Sequence, residues 1–331
     1  MASLTDIARA ARVSTATVSR VVNAPQVVAV ATRGRVQRAM ARLGYQPNRV
    51  ARRLRQRGGR RQLLGLIIPE IENPHFAEIV RGVEDAAYAR RFAVMLCNSD
   101  NDPAKQQFYL DILRAESVDG VIVPPIHDRD PALLAAAGHG LPLVVIDRRL
   151  NHPRVDSVLV DNRLGVRLAV EHLWRRGYAS IAHLAGPPEN FTSRERQAAW
   201  AEALATRGIS APAAYLRPGD NQRESGVAGA EALLSLPRPP RAIFVNNNLM
   251  AIGALEVFHR RGLAVPRDVA LVAFDDPPWA LALRPALTTV RQPTREIGRA
   301  AVDLLLSRLD QPDLPARRLL LPPELMVRDS S

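Results

Sequence analysis

The sequence predicts an α/β protein in which a small all-helical N-terminal domain precedes a larger, two-lobed core built on doubly wound parallel sheets. Two observations lead to this fold class. Residues 4–57 carry short amphipathic helical patterns and many arginines, whereas from residue 63 onward short apolar runs alternate with amphipathic helices. Such alternation is typical of parallel strands covered by helices on both faces. With 331 residues, 47% of them hydrophobic, the chain is long enough for two or three cores.

The first two helices are predicted to form a helix-turn-helix. A helical pattern covers residues 6–11, and Ser14 can cap the next helix because its hydroxyl can accept a hydrogen bond from a free backbone amide. Val18, Val21 and Val22 then form one apolar stripe. Small polar residues at the start of the second helix would let it enter a major groove, where threonine, asparagine and arginine can meet base edges.

Charge separates this region from the rest of the chain. Residues 1–61 hold fourteen arginines and a single acid, Asp6, a formal charge of +13, whereas the whole chain carries +12 and the remainder therefore about −1. The spacing of the apolar residues would also fit any small helical bundle. A basic module on a nearly neutral body, however, indicates a surface for a polyanion and favours double-stranded DNA as a partner.

This region resembles the DNA-binding headpiece of the LacI/GalR (lactose and galactose repressor) family. The matching segments are residues 6–8, 13–14, 17–23, 32–33 and 44–54. The resemblance implies that Thr15, Ala16 and Arg20 read bases in the major groove. It further implies a set of supporting DNA contacts: Ser14, Thr17, Ser19, Asn23, Tyr45, Asn48 and Arg49.

The resemblance also implies that residues 50–57 form a hinge helix whose Leu54 wedges into the minor groove. Pro47 ends the preceding segment, and two glycines at residues 58–59 end the hinge. The roughly ten residues between them are too few for a stable isolated helix, and their arginines repel one another until phosphates neutralise them. The segment is therefore expected to fold only on DNA. A solvated basic linker is the alternative.

Two positions depart from the family pattern. Arg12 stands in the turn where the family usually has glycine, so a left-handed backbone there would cost roughly 1 kcal/mol. Ala29 stands where a serine usually caps the third helix, which removes a cap worth about 1 kcal/mol. Both departures predict a marginally stable headpiece of unchanged fold.

The core is predicted from alternating elements. Strands are expected over residues 63–69, 92–97, 120–124, 143–147, 181–184, 242–245 and 269–274. Helices are expected over residues 77–90, 103–116, 130–139, 164–176, 193–207, 225–236 and 250–261. The pattern restarts near residue 158, which predicts two similar lobes with a cleft between them. Ligands of such sheets bind beyond the carboxyl ends of the strands.

The loops at those strand ends continue the resemblance, which implies a periplasmic-binding-protein-like (type I) core with three crossovers. We expect residues 1–47 to form the headpiece, residues 48–61 the hinge helix and linker, and residues 62–331 the core. Lobe one would span about residues 62–160 and 291–320, and lobe two about residues 161–290 and 321–331. A homodimer is expected, because a twofold-symmetric protein suits a palindromic operator.

The effector site implied by the resemblance draws on both lobes. Its residues are His75, Phe76, Asp147, Arg148, Thr192, Arg196, Asn247 and Asp275. Together they can donate and accept hydrogen bonds in fixed geometries, as a polyhydroxylated ligand requires. Simpler roles remain open: Asp275 could cap a turn, Phe76 could belong to the core, and Arg196 could pair with a neighbouring glutamate in solvent.

One departure concerns the ligand. Asn221 stands where many relatives have an aromatic residue, so a stacking wall is either thinner or supplied by Phe191 or Trp279. A sugar or sugar derivative is the expected effector. A purine or nucleoside corepressor is the alternative, which Thr192 and Arg196 permit.

Other classes of protein fit the sequence less well. It has no run of twenty apolar residues and no apolar leader before the first helix, so we expect a cytoplasmic protein with no membrane contact. The single cysteine, Cys97, lies in an apolar run and is expected to be buried. No phosphate-binding loop, nucleophile elbow or zinc motif is present, so no cofactor, metal or catalytic residue is expected. A sugar-modifying enzyme or a transporter's solute-binding protein is therefore a remote alternative to an effector-gated repressor.

Overall fold

The computed structural model describes residues 3–23, 25–45, 61–210 and 212–331. The chain divides into two compact units, Met1–Arg61 and Gln62–Ser331. The hinge prediction and three of its residues, Asn48, Arg49 and Leu54, lie outside the described part of the chain. Each unit is described by itself.

The N-terminal unit contains three α-helices: α1 (Leu4–Ala11), α2 (Thr15–Asn23) and α3 (Val30–Arg42). Ser3 and Asp6 form a capping box at the start of α1. The predicted cap of α2 is confirmed, because the Thr17 amide donates to Ser14 Oγ at 3.1 Å. The buried side chains of the three helices, among them Ile7, Val18 and Val36, form one small core.

Both departures from the family pattern have the predicted structure. Arg12 adopts a left-handed backbone with a φ of 52° at the end of α1. Ala29 precedes α3 and makes no side-chain capping bond. The turn and the third helix therefore form without the residues that favour them most strongly.

The second unit contains two sheets. Lobe one, as defined here, is the sheet of β1 (Leu63–Ile68), β2 (Ala93–Asn98), β3 (Gly120–Val123), β4 (Leu143–Ile146), β5 (Asp156–Val160) and β11 (Arg318–Leu321), with its helices. Its strands are ordered β11-β5-β4-β3-β1-β2 and are all parallel. The helices of lobe one are α4 (Pro74–Ala89), α5 (Pro103–Ala115), α6 (Pro131–Gly138) and α11 (Thr294–Asp310).

Lobe two repeats this arrangement. Its strands are β6 (Ile181–Ala185), β7 (Leu216–Pro218), β8 (Ala242–Val245), β9 (Ala270–Phe274), β10 (Thr288–Arg291) and β12 (Glu324–Met326), in the order β12-β10-β9-β8-β6-β7. Only the edge pair β10–β12 is antiparallel within this sheet. The helices are α7 (Asn162–Arg175), α8 (Phe191–Ala205), α9 (Arg223–Leu234) and α10 (Asn248–Arg260). The predicted headpiece and doubly wound core are thereby confirmed.

The chain crosses between the sheets three times, from β5 to β6, from β10 to β11, and from β11 to β12. Apolar side chains fill both faces of each sheet, so each lobe has two hydrophobic clusters. Cys97 is buried in one of the clusters of lobe one, as predicted. Within the described ranges, no helix is long and apolar enough to cross a membrane.

One predicted boundary was wrong in a way that affects the site. The helix after β1 was expected to begin at residue 77, but α4 begins at Pro74, with Asn73 as its N-cap. The Asn73 Oδ1 atom accepts a hydrogen bond from the His75 amide at 3.0 Å. Proline is favoured in the first turn, where its missing N–H is not needed, so the helix starts earlier than the apolar periodicity indicates. His75 and Phe76 are therefore held on the first turn of a helix.

In each lobe, a glycine allows two helices to pack closely against each other. A Cβ atom on Gly82 would lie 2.4 Å from the Arg295 carbonyl oxygen, where α4 meets α11. A Cβ atom on Gly253 would lie 2.2 Å from the Arg223 carbonyl oxygen, where α10 meets α9. These separations are shorter than any real contact, so both backbones approach closely because the side chains are absent.

Candidate ligand-binding cleft

A cavity of about 300 Å³ lies beyond the carboxyl ends of strands from both sheets. Its walls include side chains that follow β1, β4, β6, β8 and β9, together with the first turns of α4 and α8. All eight residues expected at the effector site line it: His75, Phe76, Asp147, Arg148, Thr192, Arg196, Asn247 and Asp275. Their convergence follows from the shared topology of the two sheets.

Arg196 is a buried cation on the wall of the cavity. Its Nε donates to Asn162 Oδ1 at 2.8 Å, its Nη1 donates to the Asn246 carbonyl at 2.6 Å, and its guanidinium carbon lies 3.6 Å from the centre of the Phe274 ring. Burial lowers the pKa of the guanidinium, although Asp275 and Asp147 partly offset this. Among the described residues, no carboxylate lies within 4 Å of Arg196, so a ligand oxygen could still use its charge.

The solvent ion pair considered for Arg196 belongs to another residue. Arg163 pairs with both Glu195 and Glu202 on the outer side of α8. The side chain of Arg196 is only 4% exposed and faces inward. The two glutamates near Arg196 in the sequence therefore bind an arginine of the neighbouring helix α7 instead.

Two aspartates approach the cavity from opposite lobes. Asp147 directly follows β4 with a φ of 61°, and Asp275 directly follows β9 with a φ of 73°. Asp147 Oδ2 lies 3.4 Å from Arg148 Nε. Burial opposes ionisation of Asp147, but His75 and Arg148 outweigh it and lower its pKa to about 2. Asp147 is therefore ionised at neutral pH.

Asp275 also has a local role, as the sequence left open. Its Oδ2 accepts a long hydrogen bond, 3.4 Å, from the Asn248 amide at the start of α10. Its Oδ1 accepts a short one, 2.6 Å, from Gln292 Nε2. Phe76 likewise serves both roles, since it lines the cavity and packs in the core of lobe one.

His75 lies between the two aspartates. Its Nε2 is 3.7 Å from Asp147 Oδ1, and its Nδ1 is 3.6 Å from Asp275 Oδ1. Burial disfavours the imidazolium, but Asp275 and Asp147 outweigh that cost and raise the pKa of His75 above its usual value. His75 is 7% exposed, and its ring packs edge-on against Phe76.

Asn247 is held by its neighbours. Its Oδ1 caps α10 by accepting from the Met250 amide at 3.0 Å, and its Nδ2 donates to the Asn221 carbonyl at 2.8 Å. The neighbouring Asn246, which the sequence reasoning missed, also lines the cavity, and its buried Oδ1 has no hydrogen-bond partner in the described part of the chain. Consecutive asparagines after a buried strand could have signalled this second residue.

Asn221 lines the cavity but offers no ring on which a ligand could stack. Its backbone is left-handed, with a φ of 70°, and its Oδ1 accepts from Asn246 Nδ2 at 2.7 Å. The suggested substitutes were wrong: Phe191 lies under the Arg149 guanidinium, and Trp279 packs against the core of lobe two. Among the described residues, Phe76 is the one phenyl or indole ring on the cavity wall.

Several hydrogen bonds and ion pairs connect the lobes around the cavity. Gln222 Nε2 donates to Glu70 Oε2 at 3.0 Å, and Asn248 Nδ2 donates to Asn73 Oδ1 at 3.0 Å. Arg194 pairs with Asp128 at 2.7 Å. These polar contacts between the lobes therefore help to hold the two lobes in the arrangement seen in the structure.

The described DNA-contact candidates lie together on the N-terminal unit. Ser14, Thr15, Ala16 and Arg20 are exposed, and Thr17, Ser19 and Tyr45 are partly exposed. All of these except Tyr45 lie in α2 or directly before it. The apolar residues Val18 and Val21 of α2 face the core instead. Asn23 ends α2, but its side chain is outside the described part of the chain, as are Asn48, Arg49 and Leu54.

Comparison with known proteins agrees with both units. Residues 3–48 match the family described as bacterial regulatory proteins, lacI family, and residues 170–331 match the periplasmic binding protein-like domain. The chain is 34% identical to the HTH-type transcriptional repressor PurR of Aliivibrio fischeri (strain MJ11), covering 100% of this chain and 98% of that protein. It is 33% identical to the ribose operon repressor of Escherichia coli (strain K12), with both chains fully covered.

Solved structures show the same similarity. The Lac repressor bound to ONPG in its repressed state matches with a TM-score of 0.88 and 32% identity over 100% of this chain and 99% of that one. A Lac repressor dimer bound to operator and the anti-inducer ONPF matches with a TM-score of 0.87 and 32% identity over 99% and 98%. The similarity spans the headpiece and the core.

Proposed function

The chain belongs to the LacI family of DNA-binding transcriptional repressors, and on this basis we propose that a small sugar or sugar derivative binding in its cleft controls its affinity for DNA. The observation that supports this most is the composition of the cavity wall. Ionised Asp147, buried Arg196 and Asn246 offer acceptors and donors in fixed positions, while one phenyl ring, Phe76, can cover an apolar sugar face.

The proposed regulator binds a palindromic operator as a homodimer in the cytoplasm. The exposed start of α2 supplies Thr15, Ala16 and Arg20 for base contacts, and hydrogen bonds from such side chains distinguish base pairs in the major groove. Support for the dimer comes from the structure of the Lac repressor solved as a dimer on its operator. Ligand in the cleft would change the relative orientation of the lobes and thereby the affinity for DNA.

A thermal-shift screen of the full chain tests the effector. Pentoses, hexoses, disaccharides, sugar phosphates, polyols and purine bases are added singly, since a ligand that binds only the folded state raises the melting temperature. We expect one sugar class to raise it, Asp275→Ala to abolish the effect, and Asp111→Ala, at an exposed position on α5, to preserve it. A shift confined to purine bases would replace the sugar with a purine corepressor, as Thr192 and Arg196 permit.

DNA selection from a random-sequence pool tests the regulator itself. We expect a palindromic consensus for the wild type and loss of that consensus with Arg20→Ala. Leu54→Ala should weaken binding to the consensus while sparing the salt-sensitive binding to unrelated DNA, because a minor-groove wedge acts only on the bent, specific complex. Equal losses on both kinds of DNA would contradict the wedge role. A wild type that selects no consensus in any effector state would contradict the proposed function.

A further inference from the structure

His75 is the one side chain described here that faces carboxylates from both lobes at less than 4 Å. It stands on the first turn of α4 in lobe one. Asp147, at the end of β4, belongs to the same lobe. Asp275 approaches from the end of β9 in lobe two, at 3.6 Å from Nδ1. Gln292, on the crossover that follows β10, places Nε2 3.4 Å from the same ring nitrogen and 2.6 Å from Asp275 Oδ1. A single imidazole thus connects both lobes and a crossover between them.

We propose that His75 is a positioning residue for the two cleft aspartates and that the proton on its ring stabilises the lobe arrangement described here, so that the cleft is linked to pH. This inference rests on the proposed function only in taking Asp147 and Asp275 as effector-facing groups. His75 itself is largely covered, because its Nε2 has almost no accessible surface. Its action on a ligand is therefore exerted through the aspartates.

The chemistry of imidazole supports this role. A charged imidazolium presents two N–H donors in opposite directions, whereas the neutral ring has one donor and one acceptor. In one neutral tautomer the Nε2 lone pair would face Asp147 Oδ1 at 3.7 Å, which is repulsive. In the other, the Nδ1 lone pair could accept from Gln292 Nε2 at 3.4 Å, but it would also face Asp275 Oδ1 at 3.6 Å. A carboxylate oxygen within 4 Å of each ring nitrogen therefore fits the charged ring better than either neutral tautomer.

Other charged groups around the ring do not supply the same bridge. Arg148, at the end of β4, pairs with Asp147, and Arg196, on α8, opposes the imidazolium charge. His75 also lines a second cavity, whose walls include Glu78, Asp276 and Arg291.

Those three groups have partners of their own. Glu78 pairs with Arg295, and Asp276 pairs with both Arg291 and Arg328. The charge that faces His75 is thus dominated by the two cleft aspartates.

Linkage follows from the position of His75 between the lobes. Separation of the lobes would move Asp275 and Gln292 away from the ring and leave Asp147 beside it. The proton is then held more tightly in the present arrangement than in an open one, and protonation must favour this arrangement to the same degree. Each unit of difference in pKa between the two arrangements changes the closing equilibrium about tenfold.

The test uses the full chain without sugar or DNA. Spin labels are attached to Arg114→Cys on α5 of lobe one and to Arg238→Cys in lobe two, both at exposed positions, in a Cys97→Ser background. An excess of unlabelled protein confines the measured distance to one chain. Pulsed electron resonance gives the interlobe distance from about pH 6 to about pH 9, and ring resonances, assigned with His75→Asn, give the titration of each histidine.

We expect the His75 ring to titrate above 6.5, and the distance distribution to change with the same midpoint. His75→Asn should remove the pH dependence of the distance. His127→Asn, at an exposed histidine on the same cavity wall, should retain it. Asp275→Asn should lower the midpoint of the His75 titration, which provides a second variant that keeps the ring in place.

A ring that titrates at or below 6.5 would overturn the proposal, as would a wild-type distance that does not change with pH. A pH-dependent distance that survives in His75→Asn would also overturn it. Because no sugar or operator is present, these outcomes are independent of the thermal-shift and DNA-selection results. A chain that binds no sugar could still show the linkage, and a sugar-regulated chain could lack it.

Discussion

Asp147 and Asp275 occupy equivalent positions in the two lobes: each directly follows the third strand of its sheet in the spatial order, and each has a left-handed backbone. Aspartate tolerates this conformation better than most residues, since its short side chain can bond locally. The turn directs both carboxylates toward His75. The repeated topology thereby places one anionic group from each lobe beside the same cavity.

Arg196→Lys should destabilise the core as well as weaken effector binding. Lysine cannot reproduce the two directed bonds to Asn162 Oδ1 and the Asn246 carbonyl, and leaving buried acceptors without donors costs roughly 1–3 kcal/mol. Urea unfolding of the full chain measures this loss. Arg163→Lys, which alters only partly exposed ion pairs, should change the free energy of unfolding by less than about 1 kcal/mol. Equal effects of the two substitutions would contradict the assigned role of Arg196.

Arg12→Gly and Ala29→Ser should each stabilise the headpiece. Glycine relieves the strain of the left-handed turn, and serine can accept a hydrogen bond at the start of α3, each change being worth about 1 kcal/mol. Amide exchange in α1–α3 should slow by about fivefold per substitution. Ala41→Ser, at an exposed position near the end of α3, offers a control in which exchange should not slow. Unchanged exchange in Arg12→Gly would show that the turn is not strained.

Gly82→Ala and Gly253→Ala should each lower the free energy of unfolding by about 1–3 kcal/mol, the typical cost of overpacking a core. The added methyl group would meet backbone atoms of the facing helix in both cases. Gly138→Ala is the matched control, because its Cβ would have no atom within 4 Å and helical alanine is favoured by about 0.5–1 kcal/mol. Thermal or urea unfolding distinguishes them, and a neutral Gly82→Ala would mean that the helices can separate without cost.

His183 should reduce stability in acid. It lies in β6 between Trp200 and Phe244, and burial lowers its pKa to about 3. The depressed folded-state pKa means that the stabilisation of the neutral ring is complete above about 6.5 and is lost as the pH falls below it.

The expected slope is about 1.4 kcal/mol per pH unit between about 6.5 and 3. The difference in unfolding free energy between wild type and His183→Leu should show it. His259→Gln, on the outer face of α10, should leave the slope unchanged. If the difference in unfolding free energy between wild type and His183→Leu did not depend on pH over this range, His183 would already be charged in the folded protein.

The sequence predicted the elements of the fold well because the apolar strands are buried on both faces and leave unambiguous runs. It also named eight residues that line one cavity, since strand-end loops meet at a common edge. The start of α4 was missed because Pro74 and Asn73 act locally, whereas periodicity is a longer-range pattern. The Arg196 partners Asn162 and Asn246 could not be identified, because hydrogen bonds between distant segments depend on side-chain positions that a linear pattern does not contain.

The crossover from β10 to α11 has a consequence for synthesis on the ribosome. The hydrophobic core of lobe one includes Ile297, Ala301 and Leu305 of α11, which emerge after nearly all of lobe two has been made. Residues 63–160 alone therefore lack one wall of their core during translation. Lobe two, nearly continuous from α7 to β10, can fold first, and nascent lobe one must keep apolar surface exposed until the final segment arrives.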